Sequence, residues 1–165
     1  MKLADKALYM RTIDIYACCS KTHVHGVRVA LVHDIHKDPN HNMQLSTFYH
    51  KYENNNREDR KVYEQMVGQA TPPCKNIHLE EGVRVTAIKT NYDETAVRSI
   101  EFRLSNREIV KIGDFVDYEN KLMHSLVNFA DGEEVLGVYG TLGKDKSSGV
   151  RYFKQIGFIL NQCED

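Results

Sequence analysis

One short pattern of alternating apolar residues occurs three times along this chain. The three copies are Val27, Val29 and Leu31; Ile100, Phe102 and Leu104; and Ile156, Phe158 and Leu160. Each copy follows an earlier alternating run, with a spacing of 12 residues in the first two copies and 18 in the third. A period of two places alternate side chains on one sheet face, and two such runs joined by a polar loop are typical of a hairpin. The chain is therefore predicted to form a threefold-repeated β-structure with a longer third loop.

The repeats are predicted over about residues 7–52, 76–115 and 124–160, with an insertion over residues 53–75. In this insertion Val62 and Met66 stand four residues apart ahead of Gly68, a spacing that indicates a short helix near residues 61–67. A strand over residues 62–67 is the alternative. Because each repeat is too short to hold a core alone, residues 1–165 are predicted to fold as a single all-β domain.

Composition excludes some partners and favours others. The 165 residues carry a net charge of −1 with acidic and basic residues interspersed, whereas nucleic-acid binding requires concentrated Lys and Arg. No apolar stretch approaches the roughly 20 residues that a membrane helix needs. We therefore expect neither nucleic-acid binding nor membrane insertion, and small or neutral ligands stay open.

The four cysteines, Cys18, Cys19, Cys74 and Cys163, form no CxxC pair. We interpret them as reduced thiols rather than as a disulfide framework. Residues 1–6 show neither a long apolar region nor a small-residue cleavage site. Both features predict an intracellular location, in the cytoplasm or within an organelle assembly.

Several segments carry a recognisable pattern of strand and turn residues. In residues 76–84 an I-x-L strand leads to a Glu-containing turn, and residues 96–106 read AVRSIEFRLSN. These segments resemble the middle of a jacalin-related lectin domain, where an I-x-L strand and a Glu-containing turn precede an I-R-S-L-x-F-x-T-N-like strand. The Gly113-Asp114-Phe115 that follows is similar to the family's Gly-x-Phe. Residues 134–143 and 156–158 resemble the final repeat. The resemblance covers about residues 8–160, and it implies a β-prism of three four-stranded Greek-key sheets with pseudo-threefold symmetry.

The resemblance also implies a place for a sugar site and shows where this chain departs from it. Sugar-binding members have a glycine-rich N-terminal loop and a Gly-x-x-x-Asp loop near the C-terminus. Residues 2–6 contain no glycine. Four residues after Gly137, Gly140 and Gly143 stand Thr141, Lys144 and Ser147, where the family pattern requires Asp. We therefore expect a retained fold with an altered or lost sugar site.

Two functional hypotheses follow, and neither is catalytic. The chain has no GxSxG, P-loop, Cys–His or GxGxxG signature, so we predict a protein that is not an enzyme and uses no cofactor. The first hypothesis is an interaction subunit of a larger intracellular assembly that contacts other protein subunits through residues 51–67 and 141–149. The alternative is a carbohydrate-binding lectin. Its candidate loop consists of Gly140, Thr141, Leu142, Gly143, Lys144 and Asp145.

Histidines are concentrated near the N-terminal end. His23 and His25 alternate, which would place two imidazoles on one strand face at a spacing that zinc can use. Completing such a site would need one or two further ligands, for which the candidates are His33, Asp34 and His36. Polar loops often contain histidines, and no Cys pair or HExxH motif supports a metal. We therefore predict no metal site and keep His23 and His25 as weak candidates.

Overall fold

The protein is an all-β structure in the described part of the chain. A computed structural model describes residues 2–3, 10–34, 50–52, 60–115 and 121–161. Within these ranges twelve strands and no helix are present. The strands are β1 (Lys2–Leu3), β2 (Met10–Cys19), β3 (Val24–Asp34), β4 (His50–Tyr52), β5 (Arg60–Gly68), β6 (Cys74–His78), β7 (Val85–Tyr92), β8 (Val97–Leu104), β9 (Ile109–Gly113), β10 (Met123–Asn128), β11 (Val135–Lys144) and β12 (Arg151–Asn161).

The strands form three sheets, which confirms the predicted three-sheet architecture. The first sheet has the order β4-β5-β3-β2-β6, the second β10-β7-β8-β9, and the third β1-β12-β11. Neighbouring strands are antiparallel except for β1, which runs parallel to the end of β12. Across the described residues the sheets therefore have five, four and three strands, where the family resemblance implied four each.

The sheets are offset from the repeats as read in the sequence. The start of the second predicted repeat lies in β6, which pairs with β2 and completes the first sheet. The start of the third lies in β10, which pairs with β7 in the second sheet. In both cases the outer strand of a sheet comes from a segment that follows the central hairpin of that sheet along the chain. Residues 7–9 and 35–49 of the first repeat and 53–59 of the insertion lie outside the described residues.

The helix considered near residues 61–67 is not formed, because this segment is part of β5. It pairs with β3 along its whole length. Tyr63, Gln65 and Val67 stand opposite core-facing residues of β3, and Tyr63 and Val67 pack against the core. Their period of two matches a strand, which explains why the i, i+4 spacing was misleading. The strand ends at Gly68, whose φ of 89° suits glycine and whose Cα faces the His25 carbonyl too closely for a side chain.

All three sheets contribute to one shared interior. Phe102 of the second sheet packs edge-to-face on Phe158 of the third, with ring centroids 6.1 Å apart. No single sheet could bury such a surface alone, so the sheets depend on one another. Side chains with at most 1% exposure include Ile15, Val29 and Leu31 from the first sheet, Ile88, Ile100 and Phe102 from the second, and Leu136, Val138 and Phe153 from the third.

Polar contacts fix the third sheet against the first. The Gln65 Nε2 donates to the Val138 carbonyl at 2.7 Å, and the Val138 N–H donates to the Gln65 Oε1 at 2.6 Å. The side-chain amide thereby satisfies both main-chain groups of one residue on β11. Two further bonds act in the same way: the Thr12 hydroxyl donates to the Val135 carbonyl, and the Arg151 N–H donates to Gln69 Oε1 at 2.6 Å.

A disulfide joins Cys18 on β2 to Cys74 on β6. The two residues are paired directly across the strands, with their Cα atoms 4.0 Å apart. The interpretation of these two cysteines as reduced thiols is therefore wrong, and Cys19 remains a free thiol. The pairing could not be seen locally, because it depends on β6 joining the first sheet from 56 residues away.

The described part of the chain holds no helix with the length and apolar character needed to cross a bilayer.

We expect loss of this disulfide to destabilise the protein without changing its fold. Closing a loop with a sequence separation of 56 lowers the entropy of the unfolded chain and so raises its free energy by about 4 kcal/mol in the loop-entropy account. The double variant Cys18→Ser/Cys74→Ser should therefore have a free energy of unfolding lower by an amount of that order, measured by urea unfolding under non-reducing conditions. Cys19→Ser is the matched control. An unchanged urea midpoint in the double variant would contradict the bond.

Candidate binding site at the hairpin end

Three hairpin turns come together at one end of the protein, which we call the hairpin end. They are residues 20–23 after β2, 93–96 after β7 and 145–150 after β11. The same main-chain bond closes each turn, because the N–H of its first residue donates to the carbonyl of its last. The donor–acceptor pairs are Ser20 and His23 at 2.8 Å, Asp93 and Ala96 at 3.0 Å, and Asp145 and Val150 at 2.9 Å.

The first residue of each turn also caps the turn with its side chain. One oxygen of Ser20, Asp93 or Asp145 accepts the N–H groups two and three residues ahead, the geometry of an Asx or Ser/Thr turn. These donors are Thr22 and His23 for Ser20, Thr95 and Ala96 for Asp93, and Ser147 and Ser148 for Asp145. The sequence therefore contains a further signal that occurs three times, Ser/Asp-x-Thr/Ser, which the alternation of apolar residues does not reveal.

Arg98 ties the second turn to the first. Its guanidinium donates to Asp93 Oδ2 at 2.6 Å, to the Thr95 hydroxyl at 2.8 Å and to the Thr22 carbonyl at 2.7 Å. Partial burial acts to raise the pKa of Asp93, but the bonds from Arg98, Thr95 and Ala96 outweigh it and hold this pKa well below its usual range. Both charges are therefore committed to holding the turns together.

His23 and Tyr152 join the first turn to the third. Their ring centroids are 4.5 Å apart, and the ring planes are tilted by 37°. Burial lowers the pKa of His23, and the nearby Arg98 cation lowers it further. The imidazole is consequently neutral at neutral pH, where it can both donate and accept a hydrogen bond.

Asp145 has one carboxylate oxygen available to accept hydrogen bonds from a ligand. Its Oδ1 accepts the Ser147 N–H at 2.8 Å, the Ser147 hydroxyl at 2.7 Å and the Ser148 N–H at 3.3 Å. These bonds lower the pKa of Asp145, so the group is ionised at neutral pH. Within the described residues its Oδ2 accepts no hydrogen bond. The site thus combines an anionic acceptor with the neighbouring rings of His23 and Tyr152.

The other residues of the predicted candidate loop have a different setting. Gly140, Thr141, Leu142, Gly143 and Lys144 all belong to β11, and only Asp145 lies in the turn. A Cβ at Gly140 would meet the Gln155 carbonyl and the Phe153 ring, and one at Gly143 would meet Tyr152 and Lys154. These two glycines make room for the backbone and side chains of β12, a role distinct from letting a ligand approach the backbone.

His23 and His25, the candidate metal ligands, lie in different environments. His23 lies in the first turn, whereas His25 is buried within β3. Among the side chains that the structure describes, no group of three His, Cys, Asp or Glu residues could hold a metal ion. The side chains of His33, Asp34 and His36 lie outside the described residues.

No protein-family model and no curated protein sequence matches this chain. Among solved structures, it is similar over 94% of its length to a lamprey immune protein, with a TM-score of 0.58 and 14% identity, and it spans 38% of that protein. It is similar to the lectin MPA with a TM-score of 0.56 and 13% identity, covering 94% of this chain and 96% of the lectin. For jacalin the TM-score is 0.54 and the identity 14%, covering 97% and 98%.

This chain has the jacalin-like fold. The three-sheet topology and the whole-length likeness to jacalin and MPA confirm what the sequence segments implied. The similar structures include several lectins and indicate no enzyme family. At 14% identity or less the likeness establishes the fold alone, so the function has to be argued from the chain's own residues.

We expect the Asp93–Arg98 pair to make the free energy of unfolding vary with pH in the acidic range. The pKa of Asp93 is lowered in the folded protein, so its contribution is fully present above the unfolded value of about 4 and is lost as pH falls below it. Asp93→Asn should therefore have a lower free energy of unfolding than the native protein at pH 7, and the difference should shrink toward pH 2.5. Urea unfolding at both pH values measures this.

The control is Glu94→Gln, which removes an exposed neighbouring charge of the same turn. A difference for Asp93→Asn that is equal at pH 7 and pH 2.5 would show that the carboxylate does not stabilise the turns by its charge.

Proposed function

We propose that this chain is a non-catalytic carbohydrate-binding domain whose primary site lies at the hairpin end. Two lectins with the same fold were solved with sugars: MPA with the T-antigen disaccharide, and jacalin with a Gal-α(1-6)-Glc disaccharide. The fold alone does not assign a ligand here, because unrelated functions can share a fold. The proposal therefore depends on the chemistry of the site.

The ionised Asp145 in the third turn carries the proposal. A carboxylate oxygen can accept charge-assisted hydrogen bonds from sugar hydroxyls, and such bonds are stronger than neutral ones. Because Oδ1 is held by Ser147 and Ser148, the carboxylate has a fixed orientation before a ligand arrives. That preorganisation lowers the entropic cost of binding.

His23 and Tyr152 supply the second half of the site. The contact between their rings places an aromatic surface next to Asp145, and sugars pack their C–H faces on such surfaces while their hydroxyls reach polar groups. Residues 2–6 contain no glycine, so in this proposal side chains of the first turn contact the sugar in place of a glycine-rich backbone. We therefore expect a specificity that differs from those of jacalin and MPA.

A second candidate function is the protein-interaction subunit considered from the sequence. The observation that favours it is β10, an edge strand of the second sheet whose six residues are all exposed and uncharged. Its apolar members Met123, Leu126 and Val127 are 45%, 48% and 38% exposed. By contrast, the predicted contact segment 51–67 includes most of β5, which lies within the first sheet with Tyr63 and Val67 against the core.

The disulfide also bears on location. Structural disulfides persist in oxidising compartments and are rare where thiols are kept reduced. We therefore propose that the protein works in an oxidising compartment, in place of the reducing intracellular setting expected from the cysteine spacing.

We expect Asp145→Asn to weaken saccharide binding while leaving the turn intact, because an asparagine oxygen can still cap it. Losing hydrogen bonds to a charged group costs about 1.5–3 kcal/mol, or roughly 10- to 100-fold in affinity. A glycan array identifies the bound saccharide, and calorimetry with that saccharide measures the change. Glu81→Gln, an exposed acid in the turn before β7, is the matched control. Equal binding by Asp145→Asn, or no saccharide bound by the native protein, would contradict the proposal.

A further inference from the structure

A groove lies between the second and third sheets, next to the hairpin end. Its volume is about 580 Å³, within the range of small-ligand sites. Residues of β7, β8 and β10 line one side, and residues of β11 and β12 line the other. Over β12 residues 152–158 the described chain provides a strand neighbour on one side only, β11, since β1 reaches just Leu160 and Asn161. As far as the described residues extend, the third sheet is therefore open along this groove.

Tyr139 provides a rigid aromatic surface in the groove. It is paired across the strands with Gly157, and a Cβ on that glycine would collide with the Tyr139 ring. The ring thus rests directly on the Gly157 backbone, while 44% of the residue remains exposed. A large, flat and prepositioned ring with one face covered by backbone is suited to packing against the C–H face of a sugar.

Uncharged polar groups surround this ring. Thr141 and Gln155 are paired with each other one step along the strands, so they share the sheet face of Tyr139. Ser125 and Tyr92 line the groove from the second sheet. Hydroxyl and amide groups of this kind both donate and accept, which matches the hydroxyls of a saccharide better than an apolar ligand.

Lys154 is the charged residue of the lining and gives the groove its sign. It is exposed, and its side chain lies over Gly143 beside Tyr152, at the side of the groove that faces the hairpin end. The hairpin from Lys144 to Lys154 carries four cationic residues and one acidic residue, although the whole chain has a net charge of −1. A saccharide with a carboxylate or sulfate substituent fits this local positive charge.

We propose that this groove is a second saccharide subsite, selective for acidic sugars, with Tyr139 as the packing surface and Lys154 as the anion contact. This inference rests on the proposed carbohydrate-binding function and deepens it. Tyr139 and Asp145 are six residues apart along β11 and the first residue of the third turn, or about 20 Å. One monosaccharide cannot reach both, so variants of Tyr139 and of Asp145 test the groove and the hairpin end separately.

The test is a glycan array carrying matched acidic and neutral glycans, such as 3′-sialyllactose with lactose and 6-sulfated with unsulfated N-acetyllactosamine. The native protein should bind members of the acidic set more tightly than their neutral partners. Lys154→Gln should remove that preference, and Tyr139→Ala should weaken binding to the same glycans at least tenfold. Tyr139→Phe, which keeps the ring, should retain most of the binding.

Lys111→Gln, an equal charge change on an exposed residue of β9, is the control for net charge, and urea midpoints check that each variant is folded. Acidic-glycan binding that survives both Tyr139→Ala and Lys154→Gln would overturn the groove, as would an absence of any acidic preference. If Asp145→Asn alone leaves all binding unchanged, the hairpin-end site fails while the groove stands. If binding is lost only in Asp145→Asn, the groove fails while the hairpin-end site stands.

Discussion

The position of the third sheet depends on how the outer edge of β11, the edge away from β12, is satisfied. Gln65 bonds both main-chain groups of Val138, so a side chain from the first sheet does what a neighbouring strand would otherwise do. Unpaired groups on a half-buried edge would cost free energy, and the amide removes that cost while holding two sheets together. Because β11 leads directly into the third turn, the same contact helps to set where Asp145 lies relative to His23. The shared core and the hairpin end are therefore parts of one arrangement.

Much of the fold followed from the sequence, because the central hairpins carry a local signal. The alternation around Val29, Ile100 and Phe158 marks strands that face the interior, and these strands occur as expected. The outer strands β6 and β10 could not be assigned in the same way, since their partners are chosen by long-range packing. The disulfide was missed for the same reason. In β5 the sequence offered two periodicities, and contact of Tyr63 and Val67 with the core decided between them.

The site was only partly predictable. The candidate loop contained Asp145, but it also contained glycines of β11 that accommodate the Gln155 carbonyl and the Tyr152 ring of β12. The capping residues Ser20 and Asp93 were visible as a spaced pattern, yet nothing local indicates that their turns meet. That meeting depends on Arg98 reaching the Thr22 carbonyl across 76 residues of chain. Tertiary approach of distant turns is what sequence patterns do not encode.

The capped turns separate shape from chemistry at the hairpin end. In each turn the conformation is held by the first residue and by backbone groups beyond it, while the second residue, Lys21, Glu94 or Lys146, is exposed. Substitution at these positions leaves the capping bonds in place, so the surface of the hairpin end can change its side chains without changing the conformation of the turns. A randomised library at these three sites would therefore retain its framework, which makes this end of the protein a natural starting point for engineered specificity.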